Sequence, residues 1–296
     1  MTAGAHRLAA APISWGVCEV PGWGHQMSPG RVLREMAEMD VAATEFGPPG
    51  FLPEQPELRA ATLRGHGIGA VGGFLALVLH DADTDPMPTV EAELTAFQAA
   101  GADTVVLAAA TGAAGYDDTV ALSAQQWRTL FARVDEIAAR AADRGIAATL
   151  HPHLGTVVEG PAEVARVLDS SALPLCLDTG HLFAGGVDPV ELCRSAPERI
   201  GHLHLKDVRS TVVDRLRAGE LGYQDAVRQG IYAPLGDGDV DVAAIVRLLD
   251  SVGYTGWYVL EQDCILDAEP AADGGPRADV AASMAYLAEL WAGAGR

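Results

Sequence analysis

Four residues with metal-ligating side chains, His151, Asp178, His204 and Glu261, each end or directly follow a short apolar run. Two imidazoles and two carboxylates form a borderline-to-hard donor set. Such a set suits Mn²⁺, Co²⁺, Fe²⁺ or Zn²⁺ better than Ca²⁺ or a thiolate-seeking ion. Any one of the four could instead satisfy a backbone group or an ion-pair partner; their joint placement at four run ends is what points to a metal. Lys206 stands two residues after His204, so in a strand the two share a face. It is a candidate acid, base or electrostatic clamp, or else an ion-pair partner of Asp178 or Glu261. His202 lies on the same face but deeper, as a second-layer or core histidine, and Asp207 alternates to the opposite side. Gly236-Asp237-Gly238-Asp239 resembles a Ca²⁺-loop fragment. The remaining ligand spacing is missing, so it reads as a tight turn. No GxSxG, Walker or GxGxxG signature stands in the strand–helix context it needs.

The runs that carry these residues are part of a repeated pattern. Eight short stretches rich in Val, Ile, Leu and Ala recur: Leu8–Ser14, Val41–Glu45, Ile68–Phe74, Thr104–Ala108, Ile146–His151, Leu173–Asp178, Ile200–Lys206 and Gly256–Glu261. They do not alternate, as expected of strands buried on both faces of a parallel sheet. Ala147 to Leu150 and Val71 to Ala76 could be helical by propensity, but their glycine flanks favour strand. Helical periodicity lies between the runs. It is clearest over Ser123–Arg144, where Trp127, Leu130, Phe131, Val134, Ile137, Ala138 and Ala141 share a face. There Ser123 and Gln126 suit a capping box, with Gly145 after the helix. Asp241 can cap a second helix with Ile245, Leu248, Leu249 and Val252 on its buried face. Shorter amphipathic stretches occur at Pro29–Met39, Pro161–Leu168 and Val280–Trp291. Eight strands alternating with helices predict an α/β fold, one (β/α)8 TIM barrel over residues 1–296, with a doubly wound open sheet as the competitor. In a barrel all strand ends meet on one rim, where active sites lie.

Composition narrows the function. Twenty Lys+Arg against 40 Asp+Glu leave a net charge of −20. Phosphate backbones and anionic lipids repel such a surface, which argues against nucleic-acid and membrane partners. With 49% hydrophobic residues in 296, the chain can bury a large core and is not globally disordered. Four scattered cysteines make no disulfide framework and no zinc-finger spacing. The first residues lack the flanks of a signal peptide and no apolar window spans a bilayer, so the expected location is cytoplasmic. The sequence leaves assembly into a homo-oligomer open.

Several segments together resemble the inosose (2-keto-myo-inositol) dehydratases of the xylose-isomerase-like barrel superfamily. They are Ala11-Pro12-Ile13-Ser14-Trp15-Gly16, Thr44-Glu45-Phe46-Gly47-Pro48, His151-Pro152-His153-Leu154-Gly155-Thr156-Val157-Val158-Glu159, Leu177-Asp178-Thr179-Gly180-His181-Leu182 and His202-Leu203-His204-Leu205-Lys206-Asp207-Val208. The stretch from Asp225-Ala226-Val227-Arg228 to Gly236-Asp237-Gly238 resembles a loop more particular to these dehydratases. The resemblance implies a divalent metal, Mn²⁺ or Co²⁺ first and Zn²⁺ or Fe²⁺ next. It implies Asp178, His204 and Glu261 as ligands, with His151 where many sugar isomerases have Glu. It also implies that His153, His181, Lys206 and Glu45 face the substrate, a small neutral keto-polyol.

A mechanism follows from that resemblance. The metal stabilises a developing enediolate, His153 or Glu45 takes the α proton, and His181 or Lys206 protonates the departing hydroxyl. Trp15, Trp23 and Phe51 could cover a ring face, or pack in ordinary loops. Rival readings are a keto-sugar isomerase or epimerase using the same enediolate, and a C-glycoside-cleaving subunit of a larger complex. A non-catalytic polyol binder would keep the fold alone, and a barrel endonuclease is opposed by the charge of −20.

Overall fold

Each of the eight apolar runs forms a strand in the computed structural model, which describes residues 6–113 and 115–294. The barrel strands are β1 (Arg7–Ala10), β2 (Ala43–Glu45), β3 (Gly69–Leu77), β4 (Thr104–Ala109), β5 (Ala147–Leu150), β6 (Leu175–Asp178) and β7 (Ile200–Leu205). A small antiparallel ribbon, β8 (Asp207–Val208) and β9 (Tyr232–Ala233), precedes the last barrel strand, β10 (Trp257–Leu260). All barrel pairings are parallel, and β10 closes the ring between β7 and β1. The Ala-rich β5 is a strand because β4 and β6 take up its backbone on both sides, whatever its own propensity.

Helices pack round the ring through the faces their periodicity marks. Ser123 and Gln126 form the capping box of helix Ala124–Ala142, with Trp127, Leu130, Val134, Ile137 and Ala141 buried. Asp241 accepts from the Ala244 N–H at 2.9 Å and caps helix Val242–Ser251. A cap of this kind is worth about 1 kcal/mol, and each buried Ile or Leu on the face below it about 1.5–3. Val252, expected on that face, is 55% exposed because the helix has ended before it. None of the described helices is long and apolar enough to cross a membrane. All four cysteines are free thiols.

Strand β1 is shorter than its run. Pro12 has no N–H with which to continue a ladder, and Pro12–Trp15 turn as a 3-10 helix closed by Gly16 at φ 75°. That turn sends the Trp15 indole outward into the helix layer, where Nε1 donates to Glu35 at 2.8 Å.

Gly236-Asp237-Gly238-Asp239 is a tight turn held from inside by Asp207. The buried Asp207 carboxylate accepts from the N–H groups of Val208 (2.9 Å), Gly236 (2.9 Å), Gly238 (3.0 Å) and Val240 (3.0 Å). An Ala at position 207 strands several of these donors. Replacing Asp207 is therefore expected to lower stability by about 3 kcal/mol or more in urea unfolding; a shift under about 0.5 kcal/mol, the scale of a neutral surface change, would contradict it.

Candidate active site

Four strand ends deliver the expected donor set to one place. His204 Nδ1 lies 3.3 Å from Glu261 Oε2, 3.7 Å from Asp178 Oδ2 and 3.2 Å from His151 Nε2. His151 Nε2 is also 3.5 Å from Asp178 Oδ2. Ligand atoms of Asp178, His204 and Glu261 all fall within 4.8 Å of one another, and His151 adjoins two of the three.

Lys206 is at the centre of an ionic cluster. Its Nζ is 3.4 Å from Asp178, 3.0 Å from Glu261 and 2.6 Å from Asp263, so it pairs with both acids considered for it and with a third. Burial opposes the ammonium, but Asp178, Asp263 and Glu261 together hold it well above the usual lysine range. Gly180 makes room for its stem: a Cβ there would come within 2.6 Å of Lys206 Cγ. Burial likewise opposes the Glu261 carboxylate, yet His204 and Lys206 hold it down at about 2. His204 itself, although buried, is held well above the usual histidine range by surrounding negative groups that include Glu261 and Glu45.

The residues fit a divalent cation. Asp178, Glu261 and Asp263 are three enclosed carboxylates that share Lys206, the one lysine or arginine paired with them among the described residues, while a fourth, Glu45, is taken up by His202 and His204. Asp178 Oδ2 faces His151, His204 and Lys206 at 3.4–3.7 Å but makes no well-aligned hydrogen bond with any of them. Buried charge of one sign needs a counter-charge, and two imidazoles with two carboxylates match the borderline ions.

Above this floor opens a cavity of about 270 Å³, lined by His151, His153, Lys206, Glu261 and Glu45 on its polar side. That is the scale of a sugar-sized ligand, just below sites for drug-sized molecules. His153 Nδ1 donates to the Leu154 carbonyl at 2.6 Å, which leaves the lone pair on Nε2. Burial, with His151 and the Lys206 ammonium nearby, pushes His153 down to about 3, so its ring is neutral at pH 7. His181 packs behind it, its ring tilted by 34° at 3.7 Å between centroids, and is not on the cavity wall. There it contacts Lys206 Nζ through Nε2 at 3.0 Å. Glu45 Oε1 is shared by His202 (3.1 Å) and His204 (2.9 Å).

Trp15, expected to touch substrate, is fully buried away from the cavity. The 3-10 turn carries the indole out of the barrel mouth and into the helix layer. Of the three aromatic residues considered as a ring cover, Trp23 lines the cavity; Phe51 does not.

Asp263, Tyr223 and Tyr116 also line the cavity. Asp263 follows Glu261 by two positions, and that same-face spacing could have marked it. Tyr223, whose hydroxyl donates to Asp263 at 2.6 Å, sits on helix Tyr223–Arg228 inside the long β7–β10 connection. Tyr116 packs over His153 at 4.6 Å and donates to Glu19 at 2.9 Å, joining two loops across the mouth. Gly155, at φ 70°, allows that approach, since a Cβ there would fall 2.2 Å from the Tyr116 carbonyl oxygen. No local sequence signal marks Tyr116 or Tyr223.

The model of the xylose isomerase-like TIM barrel family matches residues 33–290. An inosose dehydratase of Geobacillus kaustophilus is 32% identical over 275 residues, which cover 87% of this chain and 87% of that protein. A rhizopine catabolism protein of Rhizobium meliloti is also 32% identical, over 268 residues covering 87% of this chain and 81% of its own. The solved structure of an L-ribulose 3-epimerase superposes with a TM-score of 0.70 at 17% identity, covering 96% of this chain and 94% of that one. The likeness to the epimerase is one of fold.

Proposed function

The chain belongs to the xylose isomerase-like TIM barrel family and groups with its inosose dehydratases, and on that basis we propose that it is a carbon–oxygen hydro-lyase. It removes water from 2-keto-myo-inositol (scyllo-inosose), or a closely related neutral keto-polyol, in inositol catabolism. Residues 1–296 act as one catalytic barrel domain in the cytoplasm. The observation that carries the reading is a cavity lined by His153 and Lys206 beside a cluster of histidine and carboxylate side chains that could hold a metal.

Asp178, His204 and Glu261 would hold the cation, with His151 as fourth donor; Mn²⁺ or Co²⁺ is favoured, then Zn²⁺ or Fe²⁺. A divalent cation supplies Lewis-acid polarisation of a ketone oxygen, which acidifies the adjoining C–H. The rest falls to side chains. Of the two candidate bases, Glu45 has Oε1 engaged by two imidazoles. Burial works against its ionisation, but His204 and His202 outweigh that and hold it below the usual carboxylate range. His153 Nε2 has no such partner and takes the α proton. Lys206 Nζ gives a proton to the departing β hydroxyl, which leaves as water, and His181 Nε2 supports that ammonium from behind. Trp23 and Phe74 on the wall, with Tyr116 across the mouth, keep bulk water from the reacting carbon.

The second reading is a keto-sugar epimerase, in which the proton returns to carbon and no hydroxyl leaves. Product mass separates them: incubation with 2-keto-myo-inositol is expected to yield a product lighter by one water. An isomeric product of unchanged mass overturns the dehydratase. Stripping divalent ions with a chelator is expected to abolish turnover, and Mn²⁺ or Co²⁺ to restore it. Full turnover by metal-free protein removes the metal from the reading.

A further inference from the structure

We infer that Glu45 and His202 are positioning residues that fix which nitrogen His204 presents to the metal-ligand cluster. The inference rests on the metal-dependent reading above and adds two residues to it. The two His204 nitrogens face different surroundings. Nδ1 looks toward Glu261 Oε2 and Asp178 Oδ2, at 3.3 and 3.7 Å, while Nε2 lies 2.9 Å from Glu45 Oε1. An ionised carboxylate can only accept hydrogen bonds, so the nitrogen facing it carries the hydrogen. When His204 acts as a ligand, Nε2 therefore keeps its proton and Nδ1 offers its lone pair toward Asp178 and Glu261. A carboxylate on the far nitrogen also raises ligand basicity and locks the ring plane.

Glu45 is itself held. His202 Nε2 donates to the same Oε1 at 3.1 Å, and Glu45 is only 2% exposed. His202 borders the opening at the other end of the barrel. The pair therefore clamps Glu45 from below, and the strands supply the spacing. Positions 202 and 204 lie on one face of β7, so both rings reach a single carboxylate at the end of β2 across the barrel interior. Burying two imidazoles and a carboxylate on the barrel axis has no packing rationale that apolar residues would not meet better.

The test is metal affinity, read by isothermal titration of Mn²⁺ into chelator-treated protein, with thermal melting of the metal-free forms as the folding control. Glu45→Gln is expected to weaken Mn²⁺ binding by about 10–100-fold while the metal-free fold persists. Glu45→Asp should recover part of that loss. In Zn²⁺-loaded wild type, nitrogen-15 shifts of His204 should place the hydrogen on Nε2. Unchanged Mn²⁺ affinity in Glu45→Gln, or a hydrogen on Nδ1, overturns the inference and leaves the metal reading standing. Wild type that binds no Mn²⁺, Co²⁺ or Zn²⁺ overturns both. Should Glu45→Gln fail to fold, His202→Leu takes its place: a several-fold weakening supports the clamp, and wild-type affinity overturns it.

Discussion

His153→Gln is expected to lower kcat by about 10²–10⁴-fold, the usual contribution of a positioned general base. The substitution keeps a donor for the Leu154 carbonyl but removes the ring nitrogen that faces the cavity. It also loses ring contacts with His181 and Tyr116, worth about 0.5–1.5 kcal/mol each, which a folded barrel tolerates. The discriminating measurement is α-proton exchange with D₂O, followed by mass or NMR. Wild type should exchange the proton during turnover; the variant should do so slowly or not at all. A variant that exchanges and turns over within tenfold of wild type would show that the proton goes elsewhere.

Lys206→Met should have the larger effect on stability. Methionine preserves most of the stem that lies against Gly180 but leaves Asp178, Glu261 and Asp263 without their ammonium. Breaking a buried ionic cluster from one side costs about 3–5 kcal/mol, measurable by urea unfolding of the metal-free protein. The pH dependence has a definite sign. In wild type Glu261 is held at about 2, below its unfolded value, so its contribution is present at neutral pH and is lost as pH falls through about 2. Without Lys206, burial acts on these acids with less opposition and their values rise. An acid raised above its unfolded value stabilises below that value and loses the contribution as pH rises. The deficit of the variant is therefore greatest at neutral pH and narrows toward about pH 4, near the unfolded carboxylate range. A divalent ion offers the missing positive charge, so Mn²⁺ should raise the melting temperature of Lys206→Met more than that of wild type. Equal stability of the two metal-free proteins at pH 7 would contradict this account.

The sequence reveals the parts of this site that lie on strands. His151, Asp178, His204 and Glu261 stand where apolar runs stop, and a parallel barrel carries every such stop to one rim. Period-two spacing put Lys206 beside His204, and the ion pairs considered for it exist. The same logic does not reach Trp15, because Pro12 ends β1 early and the 3-10 turn carries the indole into the helix layer. It undervalued Asp263, which keeps the Glu261 face although the strand has ended at Leu260. It had no purchase on Tyr116 and Tyr223, because loops have no period from which direction can be read.

What the sequence alone determined was the barrel and the ring of histidines and carboxylates at its strand ends, since hydrophobic runs and the polar residues that end them are local facts. Tertiary structure decided the division of labour among those side chains. His153 rather than His181 reaches the cavity, Glu45 is held by two histidines, and one lysine answers three carboxylates. These are contacts between strands far apart in sequence, and a protonation state depends on which charges and donors lie within a few ångströms. Only closure of the barrel brings them there.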